Sequence, residues 1–209
     1  PRGGWAIHTG RGPGNCHQGV VATGGLAVPK IGRTDFGLRL AEQTGHRLVE
    51  PRPALVPLTF SATEWAPYVP LAGIALPVHI STQRATGGKG KRGVLETGFH
   101  EDLLFTHRGL SGPAVLQISS FWRPGQAITV NLLPEVDLLA LLLAAKQQSR
   151  RQLGNELGSL LTQRVADTWL AVLGVDAGQA MPQVPDATLK RIASSLQAWE
   201  LHPAGTEGW

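Results

Sequence analysis

Hydrophobic residues change their spacing along the chain, from short runs in the middle to a helical repeat near the end. Between Ser61 and Val130, short β-prone runs are separated by glycine or proline, which is typical of strands and turns. This spacing predicts a small barrel or sandwich. The predicted strands are Val69–Leu76, Val78–Ser81, Val94–Thr97, Leu103–Thr106 and Ala127–Leu132.

After Pro134 the apolar residues recur at helical intervals. Leu138, Leu142 and Ala145 fall on one helical face, and similar patterns follow further along the chain. We expect these helices to be packing elements, because no catalytic pair lies on them. The predicted helices are Glu135–Gln148, Arg151–Gln163, Val165–Leu173 and Asp186–Trp199, with Asp186 as the N-cap of the last.

The first fifty residues have a different, mixed pattern. Trp5, Ile7 and Thr9 alternate with smaller or polar residues, which predicts a strand, and Gly10–Gly14 predicts the turn after it. Val20–Ala22 is a second predicted strand. It leads into the turn Thr23-Gly24-Gly25.

A helix is predicted from Asp35 to Thr44, with Thr34 as its N-cap and Gly45 as the residue that ends it. Arg47–Glu50 is predicted to be a short strand. Three prolines then follow, and we place the first domain boundary in this proline-spaced segment, Pro51–Pro57. The pieces Leu55–Val56 and Leu58–Phe60 are expected to be extended.

The glycine turn at Thr23–Gly25 has two interpretations. Glycine lets the main chain approach a phosphate-bearing ligand closely, so the turn could line a nucleotide site. The pattern alone favours an ordinary connection between a strand and a helix, because short glycine motifs occur often without a ligand.

The net charge of +4 is compatible with an acidic partner, but the basic residues are scattered and only Arg84–Arg92 forms a cluster. Gly87–Gly93 lacks the Ser or Thr that follows the lysine of a phosphate-binding P-loop, so we interpret it as the tip of a basic hairpin. Solvated surface is the expected role of the scattered charges, and nucleic acid is not expected as a partner.

The single cysteine, Cys16, excludes an internal disulfide framework and a cysteine-built metal site, and we expect no metal. No apolar run reaches the ~18 residues of a membrane span, so we expect no membrane contact. The single cysteine fits a reducing cytoplasm, which is the expected location. The sequence begins at Pro1 and its only methionine is Met181, which favours a piece of a longer or processed protein.

Two long motifs carry a family resemblance. The first, Gly19–Phe60, contains ATGGL, VPKIG-x-T, the FG-x-x-LAEQ-x-GH helix and PRPALVPLTF; the second, Leu104–Ser119, reads LFTHRGLSGPAVLQIS. Together they resemble the BaiN-type (YhiN) bacterial NAD(P)/FAD-dependent oxidoreductases, which include proteins described as aminoacetone oxidases. Within that family the chain would be an internal fragment.

The resemblance implies an α+β multidomain fold, in which a flavin domain is interrupted by an insert of a small β-barrel and a helical subdomain. The implied division is 1–57 for a partial, Rossmann-like FAD-binding segment, 58–133 for the barrel, 134–198 for the helical part and 199–209 for a strand returning to the flavin domain. The flanking flavin-domain segments, with the GxGxxG unit, would be partners, and this fragment alone would be inactive.

The resemblance also implies FAD in the full-length protein, NAD(P)H as a candidate electron donor and a small-molecule substrate. It assigns no catalytic residue. Substrate-side candidates are Thr106, His107, Ser111 and Gly112. The implied cofactor-binding residues are Ala22, Thr23, Gly24, Gly25, Pro29, Lys30 and Thr34.

Alternatives remain open at these positions. Lys30 could equally be a surface lysine, His107 a hydrogen-bonded structural histidine, and Ser111 simply the N-cap of a helix over Ala114–Ser119. For the whole chain the alternative is a non-catalytic binding or interaction module, with nucleic acid as one candidate ligand through Arg84–Arg92.

Overall fold

The computed structural model describes residues 4–27, 34–86 and 93–208. The chain divides into two compact units, one up to Arg52 and one from Pro53 to Gly208. The division falls within the proline-spaced segment. The four-part organisation implied by the resemblance stays a prediction.

The N-terminal unit begins with a β-hairpin. Strands β1 (Trp5–Thr9) and β2 (Gly12–Cys16) pair antiparallel, and the Thr9 hydroxyl donates a 2.9 Å hydrogen bond to the Gly12 carbonyl across the turn. The predicted turn at Gly10–Gly14 is therefore too long, because its last three residues belong to β2. Cross-strand pairing compensates for the poor strand propensity of its glycines.

Helix α1 spans Phe36–Gln43 and confirms the predicted helix. Asp35 occupies the N-cap position, so the prediction of Thr34 as N-cap is wrong, although the Thr34 hydroxyl accepts the Phe36 N–H at 3.3 Å. Gly45, at φ +86°, ends the helix as predicted, and its N–H donates to the Glu42 carbonyl at 2.9 Å.

Two predicted strands of this unit are wrong. Val20–Ala22 and Arg47–Glu50 belong to no strand of the structure. A strand requires a neighbour to receive its backbone hydrogen bonds, and neither segment pairs with another strand in the described part of the chain.

None of the described residues up to Arg52 is buried. Trp5 and Ile7 are each 46% exposed and Val20 is 95% exposed. The apolar residues of the N-terminal unit are thus left uncovered by the unit itself.

The C-terminal unit is built on one antiparallel seven-stranded sheet with the order β8-β7-β4-β5-β6-β3-β9. Only residues 202–204 separate β8 from β9, so the chain itself joins the two edges of the sheet, as in a nearly closed barrel. The strands are β3 Leu58–Thr59, β4 Ala75–Thr86, β5 Gly93–Phe105, β6 Gly109–Ser111, β7 Ile128–Asn131, β8 Trp199–Leu201 and β9 Gly205–Thr206.

The short strands predicted in the middle of the chain merge into two long ones. Val78–Ser81 lies inside β4, and Val94–Thr97 and Leu103–Thr106 fall largely on the single strand β5. Gly98 does not break β5, because it makes room for the His79 ring on the neighbouring strand; a Cβ there would lie 2.7 Å from His79 Nε2.

The predicted strand Val69–Leu76 is wrong over most of its length. Helix α2 (Ala62–Trp65) continues into a 3-10 helix, Ala66–Leu71, before β4 begins. Ser61 starts this segment, because its hydroxyl accepts the Glu64 N–H at 3.3 Å and donates to the Glu64 carboxylate at 2.6 Å. The Ser-x-x-Glu spacing was a helix signal that the strand interpretation overlooked.

The four helices predicted after Pro134 are confirmed, three of them with shorter bounds and the third with an earlier start, at Gln163. Asp137 caps the first, since its carboxylate accepts the Ala140 N–H at 3.0 Å. Pro185 occupies the N-cap of the last, so the prediction of Asp186 as cap is wrong and Asp186 lies in the first turn. The helices of this unit are, besides α2, α3 Pro113–Ser119, α4 Leu138–Gln148, α5 Leu153–Leu160, α6 Gln163–Val172 and α7 Asp186–Gln197, with a 3-10 turn at Met181–Gln183.

An aromatic cluster lies at the centre of the core of this unit. The Trp65 ring stacks on Phe60 and Phe105, with centroid separations of 4.7 and 6.2 Å, and lies 6.3 Å from Trp199. Tyr68 completes this side of the cluster, 5.3 Å from Trp65. The cluster thus ties the 3-10 segment to strands from both ends of the C-terminal unit.

Tyr68 provides a test of this packing, because it is the chain's single tyrosine. Burial raises its pKa above the ordinary value of 10.0, and a hydrogen bond with Trp199 offsets part of that rise. A raised folded-state pKa means that the contribution to stability is fully present below about pH 10 and is lost as the pH rises through the folded-state pKa.

We therefore expect the tyrosinate absorbance of the native chain to appear at higher pH than that of the same chain in denaturant. The variant Tyr68→Phe should abolish the transition in both states. Coincident titration curves for the native and denatured chains would contradict the burial of this hydroxyl.

Candidate functional site

The glycine turn at Thr23–Gly25 is an exposed piece of backbone. Gly24 has φ +77°, a conformation that favours glycine, and a Cβ on Gly25 would meet no atom within 4 Å. The segment packs near α1, since a Cβ on Gly37 would lie 3.5 Å from the Val21 side chain and 3.7 Å from the Thr23 hydroxyl. The turn is thus held beside the helix with its glycine backbone open.

An apolar cavity of about 280 Å³ adjoins this turn. Its walls come from the hairpin, the segment leading to the turn, and α1, and all its lining residues belong to the N-terminal unit. They are Trp5, Ile7, Gly19, Val20, Val21, Ala22, Thr23, Phe36 and Leu40.

These residues fit the cofactor that the resemblance implies. An open glycine backbone suits the close approach of a dinucleotide, and the neighbouring apolar cavity suits a flat aromatic ring system. Ala22, Thr23, Gly24 and Gly25 form one continuous segment, and Thr34 stands before α1 with its hydroxyl on the Phe36 N–H. Pro29 and Lys30 lie outside the described residues.

In the C-terminal unit, two of the predicted substrate-side residues lie in a tight turn between β5 and β6. The Thr106 hydroxyl donates to the Gly109 carbonyl at 3.0 Å and accepts the Gly109 N–H at 3.1 Å. The Trp65 indole N–H donates to the Thr106 carbonyl at 2.9 Å. The hydrogen bonds of Thr106 therefore stabilise the turn internally, and the hydrogen bond from Trp65 connects it to the aromatic cluster.

Gly109 makes this turn possible. Its φ is +156°, and a Cβ there would lie 2.1 Å from the Leu58 carbonyl oxygen. Directly after β3, the Phe60 N–H donates to the Arg108 carbonyl at 3.1 Å. The backbone of the turn is thus tied to β3 as well as to Trp65.

His107 is exposed on this anchored turn, and its side chain makes no hydrogen bond within the described ranges. Arg108 beside it pairs with Glu207 at 3.2 Å. A hydrogen-bonded structural role, the alternative considered for His107, therefore has no partner in the described part of the chain.

Ser111 and Gly112 lie at the other end of β6, and here one expectation is wrong. Ser111 is the last residue of β6, and Gly112, with φ +88°, holds the N-cap position of α3. A Cβ on Gly112 would lie 2.8 Å from both the Asp102 carbonyl oxygen and the Leu104 N. Because the backbone of β5 lies this close to position 112, a residue with a side chain does not fit there, and glycine precedes Pro113.

Substitutions of Gly112 and Ser111 test which of the two residues is required before α3. Gly112→Ala should lower the free energy of unfolding by about 1–3 kcal/mol, because alanine is strained at this φ and clashes with β5. Ser111→Ala should stay within about 0.5 kcal/mol of the wild type, since the Ser111 hydroxyl caps nothing. Urea denaturation of both variants measures the difference, and equal midpoints would contradict this assignment.

The residue that sequence reasoning missed at this site is Trp65, which anchors the turn from 41 positions away. Nothing in the local pattern around Trp65 indicates that partner. A second missed feature is the cross-strand pair His79–His100, with ring centroids 4.7 Å apart. Strand pairing alone brings these two rings together.

A separate cavity of about 340 Å³ in the C-terminal unit has an apolar floor, which includes Leu132 and Leu161, and carries His100, Glu101 and Glu135. No cluster of three potential metal ligands occurs in residues 4–27, 34–86 and 93–208. Within the same ranges, none of the helices has the length and apolar character to span a lipid bilayer.

Comparison with known proteins gives two similar relatives. The chain is 39% identical over 203 residues to the ribosomal RNA dihydrouridine synthase of Escherichia coli, covering 93% of this chain and 46% of that protein. It is 38% identical over 195 residues to the Haemophilus influenzae protein of the same name, covering 93% of this chain and 45% of that protein. The chain thus spans about half the length of the curated relatives that it matches.

Residues 52–209 match the family described as the HI0933-like protein barrel and H2TH domain. The match covers the seven-stranded sheet and all the helices from α2 onward, and the α+β fold expected from the sequence is confirmed. The resemblance noted from the two motifs is confirmed as well. The chain therefore belongs to the HI0933-like, BaiN/YhiN-type flavoprotein family and contains its barrel and H2TH domain.

Proposed function

We propose that this chain belongs to an FAD-dependent oxidoreductase that reduces a uridine of ribosomal RNA to dihydrouridine. In this proposal the N-terminal unit lines part of the cofactor cleft, and the C-terminal unit is the substrate-side insert. The full-length protein, with its complete flavin domain, would be the active species.

The observation that carries the proposal is the similarity to two relatives from different bacteria that bear the same name. Each is close to 40% identical over 93% of this chain. The reaction in that name and the flavoprotein family are chemically consistent, because uridine becomes dihydrouridine by saturation of its C5–C6 double bond. This reduction adds one hydride and one proton.

A flavin supplies the hydride chemistry when it is bound, and the protein binds and orients the reacting groups. We assign the Thr23-Gly24-Gly25 turn, with Ala22, to holding the dinucleotide, with Pro29, Lys30 and Thr34 nearby. The support is the positive φ of Gly24 and the open space at Gly25. NAD(P)H is the proposed source of electrons.

On the substrate side we assign the turn Thr106–Gly109 and the residues Ser111 and Gly112. The turn is rigid because Thr106, Gly109 and Trp65 are joined by hydrogen bonds, so it presents His107 in a defined position. The family resemblance by itself implied a small-molecule substrate. The names of the relatives lead us to propose an RNA nucleotide in its place.

The direct test is the nucleoside content of ribosomal RNA. We expect deletion of the complete gene in the source bacterium to remove dihydrouridine from ribosomal RNA, measured by mass spectrometry of digested RNA, and the complete gene to restore it. Unchanged dihydrouridine in the deletion strain would refute the RNA substrate. Reduction of a small carbonyl compound by the purified protein, without any effect on RNA, would favour the small-molecule alternative.

The cofactor assignment has its own test. In the protein expressed from the complete gene, Gly24→Val should lower the FAD content, because valine is strained at φ +77° and its side chain takes up space beside the turn. Flavin absorbance per protein measures this, and far-UV circular dichroism checks folding. Gly10→Val is the matched control, since a Cβ on Gly10 meets nothing within 4 Å and Gly10 lies in the hairpin turn. Full FAD content in folded Gly24→Val protein would mean that the turn is merely structural.

A further inference from the structure

We propose that two adjoining hollows in the C-terminal unit form a docking surface for a basic segment of a protein partner. The first is the cavity of about 340 Å³ that carries Glu101, Asp102 and Glu135, which we call the acidic cavity. The second is a groove between α4 and α5 that contains Leu141 and Leu160, which we call the apolar groove. The acidic cavity takes a lysine or arginine side chain of the partner, and the apolar groove takes a neighbouring apolar side chain. This inference goes beyond the proposed function and does not depend on it.

The acidic cavity lies where the sheet loses a strand pair. In the described part of the chain, β7 pairs with residues 79–82 of β4 and leaves residues 75–78 without a neighbour on that side. Residues 132–136, which follow β7, line the cavity together with Leu160 and Leu161 at the end of α5. The structure therefore keeps an open space beside the uncovered start of β4.

The backbone of β4 offers a hydrogen-bond acceptor to this space. Alternate residues of an antiparallel strand bond to the neighbour on one side, and the Phe105 N–H donates to the Ile74 carbonyl at 2.9 Å at the end of the β4–β5 ladder. By this alternation Pro77, which lines the cavity, directs its carbonyl away from β5. Pro77 has no N–H, as is typical of a residue on a strand edge. Its backbone thus accepts hydrogen bonds on this side and donates none.

The ionisable side chains of the acidic cavity select a cation. Glu101 and Asp102 on β5 and Glu135 after β7 line it, and His100 Nδ1 lies 3.9 Å from Glu135 Oε1. Among the described residues, no lysine or arginine lines the cavity. Three carboxylates without such a partner are complementary to a positively charged group, and the apolar floor suits the hydrocarbon stem of a lysine or arginine side chain.

The apolar groove favours a polypeptide over a small cation. The groove has a volume of about 420 Å³ and shares Leu160 with the acidic cavity. Leu141 is 42% exposed and Leu160 is 36% exposed. A free polyamine in the acidic cavity leaves this apolar surface in water, whereas a polypeptide covers both hollows with neighbouring side chains.

The test uses a phage-displayed library of random short peptides as the probe and the 209-residue chain as the target. Phage that also bind the double variant Glu101→Gln, Glu135→Gln are removed. We expect the remaining sequences to combine a lysine or arginine with a large apolar residue nearby, because the two hollows adjoin at Leu160.

An enriched peptide is then labelled with fluorescein, and its affinity is measured by fluorescence anisotropy. The double variant should weaken binding by about fivefold or more. Leu160→Ser should weaken it as well. Glu200→Gln, at an exposed acid on β8 that lines neither hollow, is the matched control and should bind as the wild type does. Circular dichroism checks the fold, and Glu101→Gln alone replaces the double variant if that variant unfolds.

A change in the peptide tests the charge pairing directly. Glutamine in place of its basic residue should weaken binding to the wild type by a similar factor and change binding to the double variant little, since the pair is then already broken. Equal losses in both proteins would mean that the basic residue lies elsewhere, and would contradict the acidic cavity as its site.

Three other results would overturn the proposal. The first is that no sequence remains after phage that bind the double variant are removed. The second is that spermidine binds as tightly as the peptide in calorimetry while Leu160→Ser has no effect on the peptide, which would make the acidic cavity a site for a free polyamine. The third is that the protein expressed from the complete gene does not bind the peptide, which would show that flanking polypeptide of the same protein occupies the two hollows.

Discussion

The packing of the Trp65 ring is the constraint on which the C-terminal unit depends. Its faces meet Phe60 and Phe105, its neighbours in the cluster are Tyr68 and Trp199, and its indole N–H donates to the Thr106 carbonyl. One side chain thus connects the start of the unit, the long strand β5 and the last strands of the sheet. Because a buried indole needs a partner for its N–H, the hydrogen bond also fixes the turn that presents His107.

The two units differ in how much of their apolar surface they bury by themselves. The C-terminal unit has a continuous core of buried side chains and a sheet whose edges are joined by residues 202–204. In the N-terminal unit no described residue is buried, and an apolar cavity lies open beside the glycine turn. An exposed glycine backbone next to uncovered apolar surface suits a site that further polypeptide and a cofactor complete.

The proposed reaction places a structural demand on the C-terminal unit. Chemistry at a base requires a rigid presentation of side chains, which the hydrogen bonds around Thr106 and Gly109 supply.

Local sequence determined α1 and the four helices after Pro134, the end of α1 at Gly45 and the family, because apolar periodicity, a glycine at positive φ and long motifs are properties of neighbouring residues. It also supplied the site candidates, which lie in two segments, 22–34 and 106–112. Tertiary structure alone decided the rest. Val20–Ala22 is not a strand because no neighbour pairs with it, and Gly112, not Ser111, precedes α3 because β5 passes too close for a side chain. The anchor of the His107 turn is Trp65, 41 residues from Thr106, and only the folded sheet brings such distant groups within hydrogen-bonding distance.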